Sequence, residues 1–178
     1  MATVTTANIN QFKANIAGGG ARANQFEVIL ANPAIGGVGI DSAMTFMIKA
    51  ASLPGQTITE VAVPFRGRTL YLAGDREFET WTTTIINDTG FLVRNAMERW
   101  MSGINDLETS QGTTNPSNYY SQLLVKQLDR DDNTLKSYTL KNCWPTAIGA
   151  IDLNFDTVSE VETFEVTWRY TDFSASEV

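Results

Sequence analysis

The chain has no histidine. That removes the Ser-His-Asp triad, the Cys-His dyad, the His-ligated zinc site and the usual neutral-pH proton shuttle. Its single cysteine, Cys143, stands beside Trp144 with no second sulfur to pair with, and reads as a small buried hydrophobe. The stretch DRDDNT sets Asp129, Asp131 and Asn133 at alternate positions, as a calcium loop does. An EF-hand needs glycine at the sixth position and glutamate at the twelfth, and here those are Thr134 and Leu140. With strand-like flanks, a hairpin turn is expected there instead. GGGARAN precedes the first strand rather than following one, so it is no dinucleotide fingerprint, and no P-loop is present. Carboxylates are plentiful, but nothing marks one as poised for proton transfer. No cofactor, metal or catalytic residue is expected, and the chain does not read as an enzyme. One cationic group stands out: Arg66, Arg68 and Arg76, either a solvated edge with ion pairs or a contact to acidic neighbours.

The bulk numbers agree with a structural role. At 178 residues the chain suits one domain with a real core. Its net charge of −7 leaves little for gripping phosphates. After Asn142, Arg169 faces Asp152, Asp156, Glu160, Glu162, Glu165, Asp172 and Glu177, so nearly all of the imbalance sits in the last fifth of the chain. The N-terminal stretch lacks the unbroken apolar core of a secretion signal, and no apolar run is long enough to span a membrane.

The elements that position these residues are mostly strands. Residues 1–23 read as a flexible arm ending in Gly18-Gly19-Gly20, with Ile9, Phe12 and Ile16 available to dock. Strands are expected at Asn24–Ala31, from Met44 to Pro54, over QTITEVAVPF and over RTLYLAG, with the loop NPAIGGVGIDSA after the first. AGDREFETWTTTIIND reads as one strand. One of its faces carries Glu77, Glu79, Trp81, Thr83 and Ile85, the other Phe78, Thr80, Thr82, Thr84 and Ile86, and periodicity does not say which is buried. One helix is signalled by Asp88 as N-cap, by Phe91, Leu92, Ala96, Met97 and Trp100 at helical spacing, and by Gly103 where a C-cap belongs. YYSQLLVKQLD and TLKSYTLKNCW flank the turn RDDN as a hairpin, and two further strands are expected at TAIGAIDLNFD and EVETFEVTWRYTDF. Strands that are acceptable on both faces fit a sheet whose outer side meets a partner or lines an aqueous space.

FRGRTLYLAGDREFETWTTTIIND, then a helix, then LKNCWPTAIGAIDLNFDTVSEVETFEVTWRYTDF resembles the tail tube protein family of contractile-tailed, T-even-like bacteriophages. The first-strand pattern ANQFEVIL and the ASLPGQTI turn fit the same family, so that the resemblance spans roughly residues 22–173. The resemblance implies a mainly β protein: a β-barrel or sandwich of the tail tube type with one flanking α-helix. It implies one domain over residues 24–173, between the arm and a short tail at 174–178. It also implies self-association into homohexameric rings stacked as a hollow tube. A sheath protein would wrap that tube, a tape-measure protein would occupy it during assembly, and baseplate and tail-terminator proteins would end it. Viral DNA would pass through without specific binding. The location implied is the virion tail, assembled in the host cytoplasm.

Within that frame, Ile151, Leu153, Phe155, Phe164, Val166 and Trp168 are expected in the core, and Asp152, Asn154, Glu165 and Thr167 on the channel-side face. Arg66, Arg68, Arg76, Phe12 and Ile16 are candidates for contacts between subunits or rings, as are the arm and the loop 32–43. Two other readings are a tube-initiating baseplate ring or the inner tube of a non-viral injection system. A third, from a different class, is a carbohydrate-binding β-sandwich module using Trp81, Trp100, Trp144 or Trp168 as stacking platforms.

Overall fold

The computed structural model describes residues 20–31 and 47–177, together with positions 9, 12, 14, 16, 35, 44 and 45. Most of the arm and of the loop 32–43 therefore lies outside the described residues. The strands are β1 (Phe26–Leu30), β2 (Ile48–Ala51), β3 (Thr57–Phe65), β4 (Arg68–Glu77), β5 (Trp81–Ile86), β6 (Ser121–Leu128), β7 (Thr134–Ile148), β8 (Thr163–Arg169) and β9 (Asp172–Glu177). Helix α1 spans Leu92–Ile104 and the single-turn α2 spans Pro116–Tyr119.

One antiparallel sheet runs β1-β6-β7-β8-β5-β2, with β9 added to β7; β3 and β4 form a separate hairpin. β7 makes the sheet fold over. Its first part, through Lys141, lies between β6 and β9, and its Trp144–Ile148 part pairs with β8. Between the two parts Asn142 adopts a φ of 54°, a bend that re-aims the strand from one half of the sandwich to the other. The sheet stays open, with β1 and β2 at its two ends, so the architecture is a sandwich and not a closed barrel.

The core lies between the two halves and α1. Val28 and Leu30 of β1, Leu123 and Val125 of β6, Leu140 of β7, and Phe164, Val166 and Trp168 of β8 alternate inward. From α1 come Val93, Ala96, Met97 and Trp100. Trp100 and Trp168 meet with ring centroids 5.7 Å apart at a tilted 59°. Each buried indole N–H has an acceptor. Trp168 donates to Thr83 Oγ1 (3.0 Å), Trp100 to the Tyr119 carbonyl (3.0 Å) and Trp81 to the Ser52 carbonyl (2.7 Å). Across the β1–β6 pair, Lys126 stands opposite Glu27 and meets it at 2.8 Å, a cross-strand ion pair in register.

The helix differs from its expected outline in three ways. Phe91, the N-cap residue, takes a left-handed φ of 52° and is exposed with Leu92, so the buried stripe starts at Val93. Asp88 still satisfies the free helix start, accepting from the Leu92 N–H at 2.9 Å and the Gly90 N–H at 3.2 Å. Gly103 is not the cap. It sits inside α1, where a Cβ would collide with the Ile35 side chain, so the glycine lets Ile35 lie against the helix.

The strand outline also shifts. Positions 44, 45 and 47 are helical, and β2 begins only at Ile48, although Met44 is fully buried. The expected single strand Ala73–Asp88 is cut at Phe78–Thr80 into β4 and β5. Residues 174–177, set apart on sequence as a tail, pair with β7 as part of β9; this segment carries no apolar alternation, and an open backbone edge places it. The TAIGAIDLNFD strand does not form beyond Ile148. Gly149–Glu162 is a loop in which Leu153 and Phe155 are exposed, against the expectation of core positions, whereas Phe164, Val166 and Trp168 are buried as expected. Apolar alternation alone does not make a strand: pairing with a neighbour is also needed, and residues 149–162 have none.

Candidate functional site

Among the described residues the hairpin β3–β4 gathers more exposed large apolar side chains than any other element. Its turn is Arg66-Gly67, both residues with positive φ (47° and 81°), the two-residue geometry whose twist suits a tight hairpin. The register opposes Val61 to Leu72, Val63 to Leu70 and Phe65 to Arg68, so these side chains share one face; Ala62, Pro64, Thr69 and Tyr71 share the other. Ile58, Val61, Val63, Phe65, Leu70, Tyr71 and Leu72 are all exposed, Phe65 at the tip by 69%. Arg66 lies 5.4 Å over the Phe65 ring. Arg76, at the base, donates to Gln56 Oε1 at 2.8 Å. Among the described residues none of Arg66, Arg68 and Arg76 forms an ion pair. Phe12 and Ile16, the arm candidates, are exposed by 64% and 40% and are joined by the Ile16 N–H to Phe12 carbonyl bond.

The second surface is the outer face of β5 and β8. Trp81, Thr83 and Ile85 point to the core, leaving Thr82, Thr84 and Ile86 outward, which resolves the two-faced strand. On that face Thr82 stands opposite Thr167 and Thr84 opposite Glu165, with Ala147 and Ala50 flanking them from β7 and β2. The wall is built mainly of small and hydroxyl-bearing side chains, with Glu165 near its middle, Ile86 toward one end and Arg169 toward the other. Asp152 and Asn154 do not share it: they belong to the loop that precedes β8. Alternation put all four residues on one face, but the pairing that would hold the first two in a strand is missing.

That loop is the third surface. Its ends are clamped. Gly149 donates its N–H to the Glu165 carbonyl at 2.7 Å, and its own carbonyl accepts from Arg94 at 3.1 Å. Glu162 is held by Asn87 through both backbone (2.9 Å) and side chain (3.0 Å). Between the clamps the chain bulges outward, turned locally where Asn154 Oδ1 accepts from the Asp156 N–H at 2.9 Å. Leu153, Phe155, Val158 and Val161 are exposed, Phe155 fully, among Asp152, Asp156, Glu160 and Glu162. Sequence reasoning missed both apolar surfaces. The available signal was two-sided: Val61, Val63, Leu70 and Leu72 flank an Arg-Gly turn with no third strand to cover them.

Among the described residues, no arrangement for covalent chemistry accompanies these surfaces. Cys143 is fully buried, and burial pushes its thiol up to about 12, so it is no nucleophile. Among the described residues no group of three or more Asp, Glu or Cys side chains is placed to hold a metal. DRDDNT is a tight turn, with the Asp129 N–H bonded to the Asn133 carbonyl at 2.8 Å. Trp81, Trp100 and Trp168 are buried and Trp144 is half-buried, which removes the stacking platforms of a carbohydrate module.

The described residues thus form an open β sandwich with a flanking helix and large exposed apolar surfaces. The comparisons give the family. Residues 21–176 match the phage tail tube protein family, and the chain belongs to it. It is 35% identical over 128 residues to the tail tube protein gp19 of Enterobacteria phage T4, covering 69% of this chain and 76% of that one. It is 28% identical over 167 residues to the tail tube protein of Serratia phage KSP90, covering 92% and 94%. The fold also matches the solved sheath-tube complex of an extracellular contractile injection system. That match has a TM-score of 0.62 at 11% identity and covers 97% of this chain and 100% of the other. The tube-terminating cap of the anti-feeding prophage matches with a TM-score of 0.65 at 14% identity, over 89% and 92%. The protein is a structural, non-catalytic tail tube component of a virion.

Proposed function

We propose that copies of this chain close into hexameric rings, which stack into the hollow inner tube of a contractile tail. The observation that carries this reading is the open sheet. β1 and β2 each end it with a backbone edge that no described strand of the same chain covers, and such edges are satisfied when neighbouring copies join sheet to sheet around an axis. The wall of Thr82, Thr84, Glu165 and Thr167 then faces the channel. A small, hydroxyl-rich surface on which Glu165 and Arg169 offset each other gives a phosphate backbone little to hold, and DNA slides past it. Arg66, Arg68, Arg76, Phe12 and Ile16 serve contacts between copies. The domain runs from residue 24 through the sheet, with residues 1–23 an arm that contacts neighbouring copies or rings. The partners of the assembled tube are a sheath outside, a tape-measure protein inside during assembly, and baseplate and terminator proteins at its ends.

The purified chain should polymerise into hollow sixfold tubes visible by negative-stain microscopy. Persistent monomers across salt and concentration would overturn the reading, and growth that stops after one ring would mark a tube initiator instead.

A further inference from the structure

The arm and helix α1 carry two apolar features that a single copy leaves unmatched, one a stripe and one a groove. In the arm, Ile9, Phe12 and Ile16 recur at steps of three and four, which sets them on one side of a helix. Positions 9, 12 and 14 are helical, and the Ile16 N–H bonds to the Phe12 carbonyl at 3.1 Å. All three stripe residues are exposed.

The groove runs between α1, the turn that follows it and the Trp144–Ile148 part of β7. Met101, Ile104, Leu107, Trp144 and Ile148 line it, around a volume of about 260 Å³. An apolar cavity of about 150 Å³ takes a benzene, so this one has room for a phenyl ring and a branched aliphatic group. Its outer wall is set in advance. Asp106 Oδ1 accepts from the Glu108 N–H (3.1 Å), the Thr109 N–H (2.8 Å) and the Thr109 hydroxyl (2.9 Å), and the Asp106 N–H reaches the Gln111 carbonyl at 2.8 Å. That turn holds Leu107 outward with 92% of its surface exposed. A wall already ordered loses little further entropy when it is covered.

Stripe and groove do not meet within one copy, where both stay open. The arm is rooted at the Gln127 end of β6, where the Gln127 side chain donates to the Arg22 and Gln25 carbonyls at 2.7 Å each. The groove opens past the other end of that strand, where Ser121 stands opposite Cys143. Charge favours a match between copies. Lys13 is the only charged side chain before Arg22, whereas residues 104–113 carry Asp106 and Glu108 and no cation.

We infer that the arm helix of one copy lies in the α1–β7 groove of a neighbouring copy, with Phe12 at the centre, Ile9 and Ile16 on either side of it, and Lys13 toward Glu108. The inference rests on the tube reading and names the surface that receives the arm. Anchors at i, i+3 and i+7 are how an amphipathic helix fills an apolar groove. The Gly18-Gly19-Gly20 tether lets the helix turn to find it. Arm and groove are unlike surfaces, so each copy gives one and takes one, and the contact passes from copy to copy.

A disulfide tests the contact. Lys13→Cys with Glu108→Cys in one chain leaves the apolar anchors intact, and the native Cys143 is buried. After mild oxidation of the assembled protein, a non-reducing gel should show a ladder of linked copies. Bands that stay unlinked, or a link closed within one chain, would overturn the contact and leave the tube reading intact. Phe12→Asp with Ile16→Asp, and separately Leu107→Asp, change exposed side chains. Each should leave the melting curve of the subunit unchanged and lower the sedimenting fraction at least tenfold; normal sedimentation of either would also count against the contact. Failure of the unaltered chain to polymerise would overturn both the contact and the tube.

Discussion

The hairpin β3–β4 and the pair β5–β8 are built from similar residues and meet opposite fates. Both alternate apolar and polar or small side chains, and both are antiparallel pairs of good strand formers. In β5–β8 one face carries Trp81, Ile85, Phe164, Val166 and Trp168 against α1 and the rest of the core, while Thr82, Thr84 and Glu165 look outward. In the hairpin neither face is covered, and Val61, Val63, Leu70 and Leu72 stay in contact with solvent. Exposed apolar area of this extent is unusual on a protein that works alone. One chain thus holds two kinds of apolar surface: one that stabilises the subunit and one left in contact with solvent.

That division is open to attack by mutation. The largest effect is expected in the body. Trp168→Ala would empty the centre of the core beside Trp100 and should cost about 3–5 kcal/mol in urea denaturation. Next, Thr83→Val keeps the shape of the side chain but strands the buried Trp168 N–H without its acceptor, at about 1–3 kcal/mol by the same measurement.

A third test uses pH. Burial raises the Cys143 thiol from 9.0 to about 12, so the folded chain keeps a proton that the unfolded chain releases. This group's contribution is therefore intact below pH 9 and declines as pH rises toward 12. Cys143→Ala should flatten that alkaline slope, and in the native chain the thiol should ignore thiol reagents at neutral pH. The smallest effect on subunit stability is expected where the exposed apolar area is greatest. Val63→Ser with Leu70→Ser should move the unfolding midpoint by no more than about 0.5 kcal/mol, yet abolish sedimenting polymer. A loss as large as that of Trp168→Ala would show that the hairpin belongs to the subunit core after all.

Much of the fold was legible because period-two and helical patterns report local physics. The hairpin of β6 and β7, the buried face of β8, the single main helix and the buried cysteine all follow from residue type and spacing. Asp88 was readable as the group that satisfies the helix start, although the helix begins at Leu92 and its stripe at Val93. Where pattern and structure part, a neighbour is the cause. Leu153 and Phe155 alternate like a strand but pair with no neighbour, whereas residues 174–177 show no such pattern and pair with β7 as part of β9. Gly103 looks like a stop signal and is instead the place where Ile35 touches the helix.

Residue types and their spacing were enough to exclude histidine chemistry, to separate the acidic final fifth from the rest, and to mark a β protein with one principal helix. Those are properties of short stretches and of composition, and they need no knowledge of what lies across the sheet. Which face of β5 is buried, that β3 and β4 stand apart from the main sheet, and that Leu153 and Phe155 lie exposed in a loop were decided by tertiary structure. Each depends on pairings between residues far apart in the chain, and only the folded backbone brings those residues into register.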